Sequence, residues 1–227
     1  MNYRITFISD THTLHNKITE DLPGGDIIIC SGDITSRGFV EEAKYFFEWF
    51  HKLKNYDHKI FIAGNHDFCF EEHLEEMNKI LQDYYNIDYL YDSGITINDE
   101  IKIYGTPWQP EFYNWAFNLP RNGEQLKQVW NKIPENTDIL ITHGPPYKYL
   151  DVIKGLNVGC ELLRERVDLI KPKINVFGHI HFSHGYYYNG HTHFINASSL
   201  NEQYRYANLP ITIDWNHITN EIYFYND

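Results

Sequence analysis

Cysteine is scarce in this chain and never paired. Cys30, Cys69 and Cys160 are odd in number, widely spaced and free of any Cys-x-x-Cys arrangement, which argues against a disulfide framework and fits reduced thiols. No apolar run approaches the length of a membrane span, and the opening MNYRITFISDTH has neither the basic region nor the long apolar stretch of a leader. The expected location is the cytoplasm. Basic stretches are missing too: 19 Lys and Arg face 31 Asp and Glu, a formal charge of −12. That field repels anionic membrane surfaces and disfavours a polymeric nucleic-acid partner. Pro/Gly/Ser-rich linkers, composition shifts, fixed-period repeats and low-complexity segments are absent, so residues 1–227 are expected to form a single domain. No Gly-x-Gly-x-x-Gly follows a strand-like run, which removes the usual signal of a dinucleotide-binding oxidoreductase.

What the chain does contain is a globular composition, 42% hydrophobic and 16% aromatic, and one arrangement used five times. A short buried-strand pattern runs into polar residues at its C-terminal end. Tyr3–Ser9 leads into Asp10-Thr11-His12 and Asp26–Ser31 into Gly32-Asp33. Lys59–Ala63 leads into Gly64-Asn65-His66-Asp67, Asp138–Thr142 into His143-Gly144-Pro145, and Ile174–Phe177 into Gly178-His179-Ile180-His181. Helical spacing is predicted over Val40–Leu53, Glu71–Tyr84, Glu124–Lys132 and Cys160–Ile170. Alternating strands and helices argue for an α/β architecture, in which ligands gather at the carboxyl ends of strands. Beyond residue 183 the pattern turns β-rich, with strands predicted over Gly185–Tyr188, His193–Ala197, Ile211–Trp215 and Glu221–Tyr225.

Gly-His-x-His occurs twice, at 178–181 and at 190–193. Asn189-Gly190 is a hairpin-turn signal, which predicts His191 and His193 two apart on one outgoing strand, a pair of surface histidines. The first copy follows a buried run with no turn before it, so His179 and His181 are the site candidates. Together with Asp10, His12, Asp33, Asn65 and His143 they make seven oxygen and nitrogen donors. This is too many for one tetrahedral zinc and suits two ions sharing a carboxylate, ~3.5–4 Å apart. Carboxylate, imidazole and amide donors fit Mn²⁺, Fe²⁺/Fe³⁺ or Zn²⁺.

Asp10-x-His12, Gly32-Asp33, Gly64-Asn65-His66-Asp67, His143 and Gly178-His179-x-His181, in that order, resemble the five-block signature of the calcineurin-like metallophosphoesterase superfamily. YGTPWQP (104–110), FNLPR (117–121), THGPP (142–146) and VGCELL (158–163) resemble its small metallophosphoesterase-domain-containing branch, related to class III cyclic-nucleotide phosphodiesterases. The resemblance implies a four-layer αββα sandwich of two mixed β-sheets flanked by helices. It implies two divalent cations, the first held by Asp10, His12 and His181 and the second by Asn65, His143 and His179, with Asp33 bridging. It places His66 over the substrate phosphate, with Asp67 as its orienting partner; support of Asn65 is the other role open to this pair. Glycine in place of His179, which some relatives carry, is absent here.

The expected activity is hydrolysis of small phosphodiesters, 2′,3′- or 3′,5′-cyclic nucleotides first among them, by a hydroxide held between the ions. A phosphomonoesterase, a protein phosphatase, a nuclease and a low-activity nucleotide-binding protein are the alternatives. Trp108, Tyr147, Tyr149 and Phe182 are candidates for stacking on a base, or else packing aromatics. Asn157–Cys160 is a candidate helix opening whose N–H groups could receive a phosphate oxygen.

Overall fold

In a computed structural model that describes residues 1–225, the chain forms sixteen strands, five α-helices and two short 3₁₀ turns. The first half contains β1 (Asn2–Ile8), β2 (Gly25–Cys30), α1 (Val40–Lys52), β3 (Tyr56–Phe61), α2 (Phe68–Glu72), α3 (Leu74–Leu81), β4 (Ile87–Tyr89), β5 (Ser93–Ile97) and β6 (Ile101–Thr106). A short ribbon, β7 (Gln109–Pro110) with β8 (Asn118–Leu119), precedes α4 (Glu124–Asn131) and β9 (Ile139–Thr142). A second ribbon, β10 (Val152–Ile153) with β11 (Leu156–Asn157), precedes α5 (Glu161–Ile170) and β12 (Ile174–Phe177). The chain continues through β13 (Gly185–Tyr188), β14 (His193–Asn196), β15 (Ile211–Asn216) and β16 (Glu221–Phe224).

Two mixed six-stranded sheets result, ordered β16-β15-β1-β2-β3-β4 and β13-β14-β12-β9-β6-β5. Each has a parallel centre, β1 to β4 in one and β6-β9-β12-β14 in the other, with antiparallel strands outside it. Central runs such as Ile27–Cys30 and Ile139–Ile141 are buried on both faces, as parallel strands require. Ile5, Ile29, Ile60 and Ile62 of the first sheet meet Ile103, Ile141, Val176 and Ile195 of the second between the layers. Outside the first sheet, α1 buries Ala43, Phe46, Phe47 and Phe50, an i, i+3, i+4, i+7 stripe. Outside the second, α4 and α5 contribute Leu126, Trp130, Leu163 and Val167. The architecture is the expected αββα sandwich.

Two local expectations are corrected. The helix expected over Glu71–Tyr84 is broken at His73, whose φ of −129° leaves the helical range. No proline or glycine marks the break; Glu71 is engaged elsewhere, accepting the Phe117 N–H at 2.8 Å. His191 does not lie on the hairpin strand. Tyr188 pairs with His193, so residues 189–192 are the connection, and the Asn189 side chain accepts the N–H groups of His191 and Thr192. A four-residue loop closed by Asn189 replaces the two-residue turn.

His15, fully buried, packs between the rings of Tyr45, Phe46 and Trp49 at 4.5, 5.6 and 5.0 Å. Burial disfavours its charged form and lowers it to about 4. Its folded value lies below the unfolded one, so its stabilising effect is complete above the unfolded value and lost as pH falls toward 4. Urea unfolding is expected to show about 2 kcal/mol less stability at pH 5 than at pH 7 from this residue, and His15→Leu to remove that share of the difference.

Candidate metal centre

Every polar block that follows a strand in the sequence lies at the same end of the sandwich. Asp10 and His12 follow β1, Asp33 follows β2, Asn65 and His66 follow β3, His143 follows β9, and His179 and His181 follow β12. Asp10, His12, Asp33 and His179 have φ of 51°, 38°, 54° and 64°. The left-handed region is uncommon outside glycine, and four such residues in one site mark backbone held there by its surroundings. Nothing in the sequence signals it. Close approach explains two glycines: a Cβ on Gly178 would sit 2.0 Å from Asp10 Oδ2, and one on Gly64 would sit 2.4 Å from Asp33 Oδ1.

Side chains converge in overlapping groups whose donor atoms lie within 4.8 Å of one another: Asp10, His12 and His181; His12, Asp33 and His66; Asp33, His143 and His179. Asp33 Oδ2 is 3.6 Å from His12 Nε2 and 3.3 Å from His143 Nε2, so one carboxylate faces both ends of the cluster. Asn65 Oδ1 is 2.9 Å from His143 Nε2, which brings the amide to the same point. His181 Nε2 is 3.3 Å from Asp10 Oδ1. Asp10 also receives the His179 N–H and the Ser198 hydroxyl. The second Gly-His-x-His copy contributes nothing to these groups.

Protonation fits a cation site. Burial works against ionisation of Asp10, but His181 outweighs it and holds the carboxyl below its usual range. Burial likewise opposes ionisation of Asp33, and His143 outweighs it. The two partners move the other way: burial lowers His143 and His181, yet Asp33 and Asp10 carry each up to about 9. His179 falls to about 4 through burial and the charge of His143, and burial lowers His12. Two anions thus keep two imidazolium protons in the cluster, and these are the protons a metal displaces.

Hydrogen bonding tests the fit directly. Nδ1 of His12, His143 and His181 lies 2.9–3.0 Å from the carbonyls of Thr35, Ser31 and Asn201, and these oxygens can only accept. The tautomer is therefore fixed with Nε2 turned inward, the usual support of a metal-ligating histidine. His12 Nε2 is buried with no hydrogen-bond partner, a costly state unless a ligand completes it. These residues fit a dinuclear centre.

His66 is placed differently. Its backbone N–H donates to Asp33 Oδ1 at 2.8 Å, its Nδ1 meets the Ser36 carbonyl at 2.9 Å, and its ring stacks on Trp115 at 4.1 Å. The expected pairing with Asp67 is therefore corrected. Asp67 is fully buried and accepts from the Gly64, Ile34 and Thr35 N–H groups and the Thr35 hydroxyl. It braces the loop after β2 against the loop after β3, and the Ser36 carbonyl takes the orienting place. Burial and the neighbouring Asp33 raise Asp67 to about 6. Asp67→Ala strands several buried donors and is expected to destabilise the chain by about 3 kcal/mol or more in urea unfolding.

The cluster opens into a cavity of about 640 Å³ whose aromatic walls are Phe112, Trp115 and Tyr204. None of the four stacking candidates lines it. Trp108 packs edge-on to Phe117 and bonds Asp92, and Tyr149 stacks on Phe194 at 3.7 Å; Tyr147 and Phe182 lie off the wall. Phe112 and Trp115 belong to a loop of no regular period, tied down where Ala116 N–H meets the Asn65 carbonyl, so neither periodicity nor motif exposes them. The Asn157–Cys160 segment does reach the wall, but its N–H groups are taken: Val158 and Gly159 donate to Asp151 and Cys160 to Pro145. Arg121, from the FNLPR stretch, clamps this segment through the Val158 and Gly159 carbonyls and Glu161.

Residues 3–183 match the calcineurin-like phosphoesterase family. The chain is similar to human metallophosphoesterase domain-containing protein 1, at 42% identity over 93% of this chain and 70% of that protein. It is also similar to a UPF0046 protein of Caenorhabditis elegans, at 36% identity over 93% of this chain and 59% of that protein. Among solved structures, TT1561 of Thermus thermophilus superposes with a TM-score of 0.64 at 14% identity, covering 100% of this chain and 99% of that one, a likeness of fold. With its strand-end histidines and carboxylates in one cluster, the chain belongs to the calcineurin-like phosphoesterase family.

Proposed function

We propose that the chain is a dinuclear-metal-dependent phosphodiesterase for small phosphodiesters, with 2′,3′- or 3′,5′-cyclic nucleotides as the leading class. The observation that carries this reading is Asp33, shared between two donor groups at the floor of a cavity of about 640 Å³. Asp10, His12 and His181 would hold one ion and Asn65, His143 and His179 the other, with Asp33 between them. Mn²⁺ is assigned first, and the same donors accept Fe²⁺/Fe³⁺ or Zn²⁺. Bound divalent ions supply Lewis acidity that lowers the pKa of water toward ~7 and offsets charge on phosphoryl oxygens.

The remaining work falls to the chain itself. Asp10 is fixed by the His179 N–H and Ser198, and Asn65 is held by its backbone tie to Ala116, so the donor set is organised before any ligand arrives. His66 donates from Nδ1 to the Ser36 carbonyl and presents Nε2 to the cavity. In its protonated form it hands a proton to the departing ester oxygen. Trp115 stacked on the ring fixes its plane. The aromatic walls and the charge of −12 suit a small diester over a polymer. No helix among the described residues is long and apolar enough to cross a membrane, and three buried free thiols suit a reducing cytoplasm.

The test is hydrolysis by metal-stripped protein reloaded with Mn²⁺. Bis-p-nitrophenyl phosphate, p-nitrophenyl phosphate and a panel of cyclic nucleotides are compared, with His179→Ala alongside. Diester hydrolysis that collapses in the variant supports the reading. Turnover of the monoester alone would move the assignment to a phosphomonoesterase, and no turnover with two ions bound would point to nucleotide binding.

A further inference from the structure

We propose that Tyr204 is a further residue of the reaction centre, whose hydroxyl donates a hydrogen bond to the phosphoryl group of bound substrate; this rests on the dinuclear reading above. No motif in the sequence marks it. Its ring lies 4.9 Å from that of His12, 5.3 Å from His181 and 6.2 Å from His66, against both metal-side and substrate-side imidazoles at once. It lines the same cavity as Asp33, Asn65 and His66. The residue is 51% exposed, and no protein group among the described residues bonds its hydroxyl. A phenol with a free donor at the mouth of an anion-binding cavity is placed to meet an oxyanion.

The loop that carries it is built for position. Tyr204 has φ of +55°, a conformation disfavoured for an aromatic residue. Asn201 enforces it: its side-chain oxygen accepts the N–H groups of Gln203 and Arg205, and its carbonyl accepts that of Tyr204. The Leu200 to Tyr206 bridge closes the base of the loop. The same Asn201 carbonyl faces His181 Nδ1 at 3.0 Å. One residue therefore orients a candidate metal ligand and holds the phenol above it. The ring covers the imidazoles, and the hydroxyl is left for the ligand.

The experiment is calorimetric titration of inorganic phosphate into Mn²⁺-loaded protein, wild type against Tyr204→Phe, with metal content measured on both. The phenylalanine keeps the ring and the loop, so two ions per chain are expected in each. A hydrogen bond to an anionic oxygen corresponds to about tenfold weaker phosphate binding in the variant. Equal affinity in the two proteins, with both metals present, would overturn the role of Tyr204 while leaving the metal centre standing. Loss of an ion in Tyr204→Phe would show that the residue acts on the metals through His12 and His181, and would overturn phosphate contact. A wild-type protein that holds two ions and does not bind phosphate would overturn this inference, while the phosphodiesterase reading is decided separately by the diester hydrolysis above.

Discussion

Asp33→Asn is expected to leave the chain folded and to remove both activity and the paired metal centre. The carboxylate lies 3.6 Å from His12 and 3.3 Å from His143, in two donor groups at once, so its charge is counted at both ends of the cluster. Asparagine keeps the oxygen that receives the His66 N–H and preserves the contact between the loops. What it removes is the second oxygen's charge, which two cations in close proximity need between them. The expected result is a fall from two bound ions to one or none by elemental analysis, with at least ~10³-fold slower hydrolysis. Thermal unfolding of the metal-free variant should report a loss of about 3 kcal/mol against the metal-free parent, because asparagine leaves the buried His143 without the carboxylate charge it is paired with. Two ions retained at full affinity would remove Asp33 from the bridging position.

His66→Ala is the second large effect, and its signature is selectivity. No hydrogen bond runs from the His66 ring to a proposed ligand: its Nδ1 is spent on Ser36 and its face on Trp115, and it meets the His12 ring edge-on at 4.5 Å. Metal content should therefore remain at two. An alkoxide leaving group needs a proton as the P–O bond breaks, whereas nitrophenolate leaves without one. General-acid catalysis contributes ~10²–10⁴-fold where it is needed. Hydrolysis of a cyclic nucleotide should fall by that factor, and hydrolysis of bis-p-nitrophenyl phosphate by about tenfold or less. Equal losses on the two substrates would assign His66 to phosphate binding. Because His66 also lies in a donor group with His12 and Asp33, loss of an ion in the variant would instead make it a ligand.

Much of this centre is legible in the chain because it is written at strand ends. A buried parallel strand reads as an apolar run, and the polar residues that end it stand out against that run. β1, β2, β3, β9 and β12 are all visible this way, within a few residues at each end. The sequence order of the blocks then carries the family. What stays hidden has one physical cause in each case. β4, β5 and β6 escape the pattern because Ile87–Tyr89 is only three residues long and the β5–β6 hairpin has mixed burial rather than clean alternation. The break at His73 comes from a long-range engagement of Glu71. Asp67 stands beside His66 in sequence, which suggests a pair, but its carboxylate is taken by the Gly64, Ile34 and Thr35 N–H groups while the His66 ring meets the Ser36 carbonyl. Tyr204 and Trp115 reach the cavity on loops held by Asn201 and by the Asn65 carbonyl. Their placement depends on contacts between distant segments, which no local pattern records.

The measurement that bears most directly on the shared carboxylate is electron paramagnetic resonance of the protein titrated with Mn²⁺. Two ions ~3.5–4 Å apart with a common carboxylate are magnetically coupled. Saturation at two ions per chain is expected to yield a coupled multiline spectrum, and Asp33→Asn is expected not to produce it. A saturated wild-type protein showing only the six-line spectrum of isolated Mn²⁺ would contradict a dinuclear centre built on Asp33.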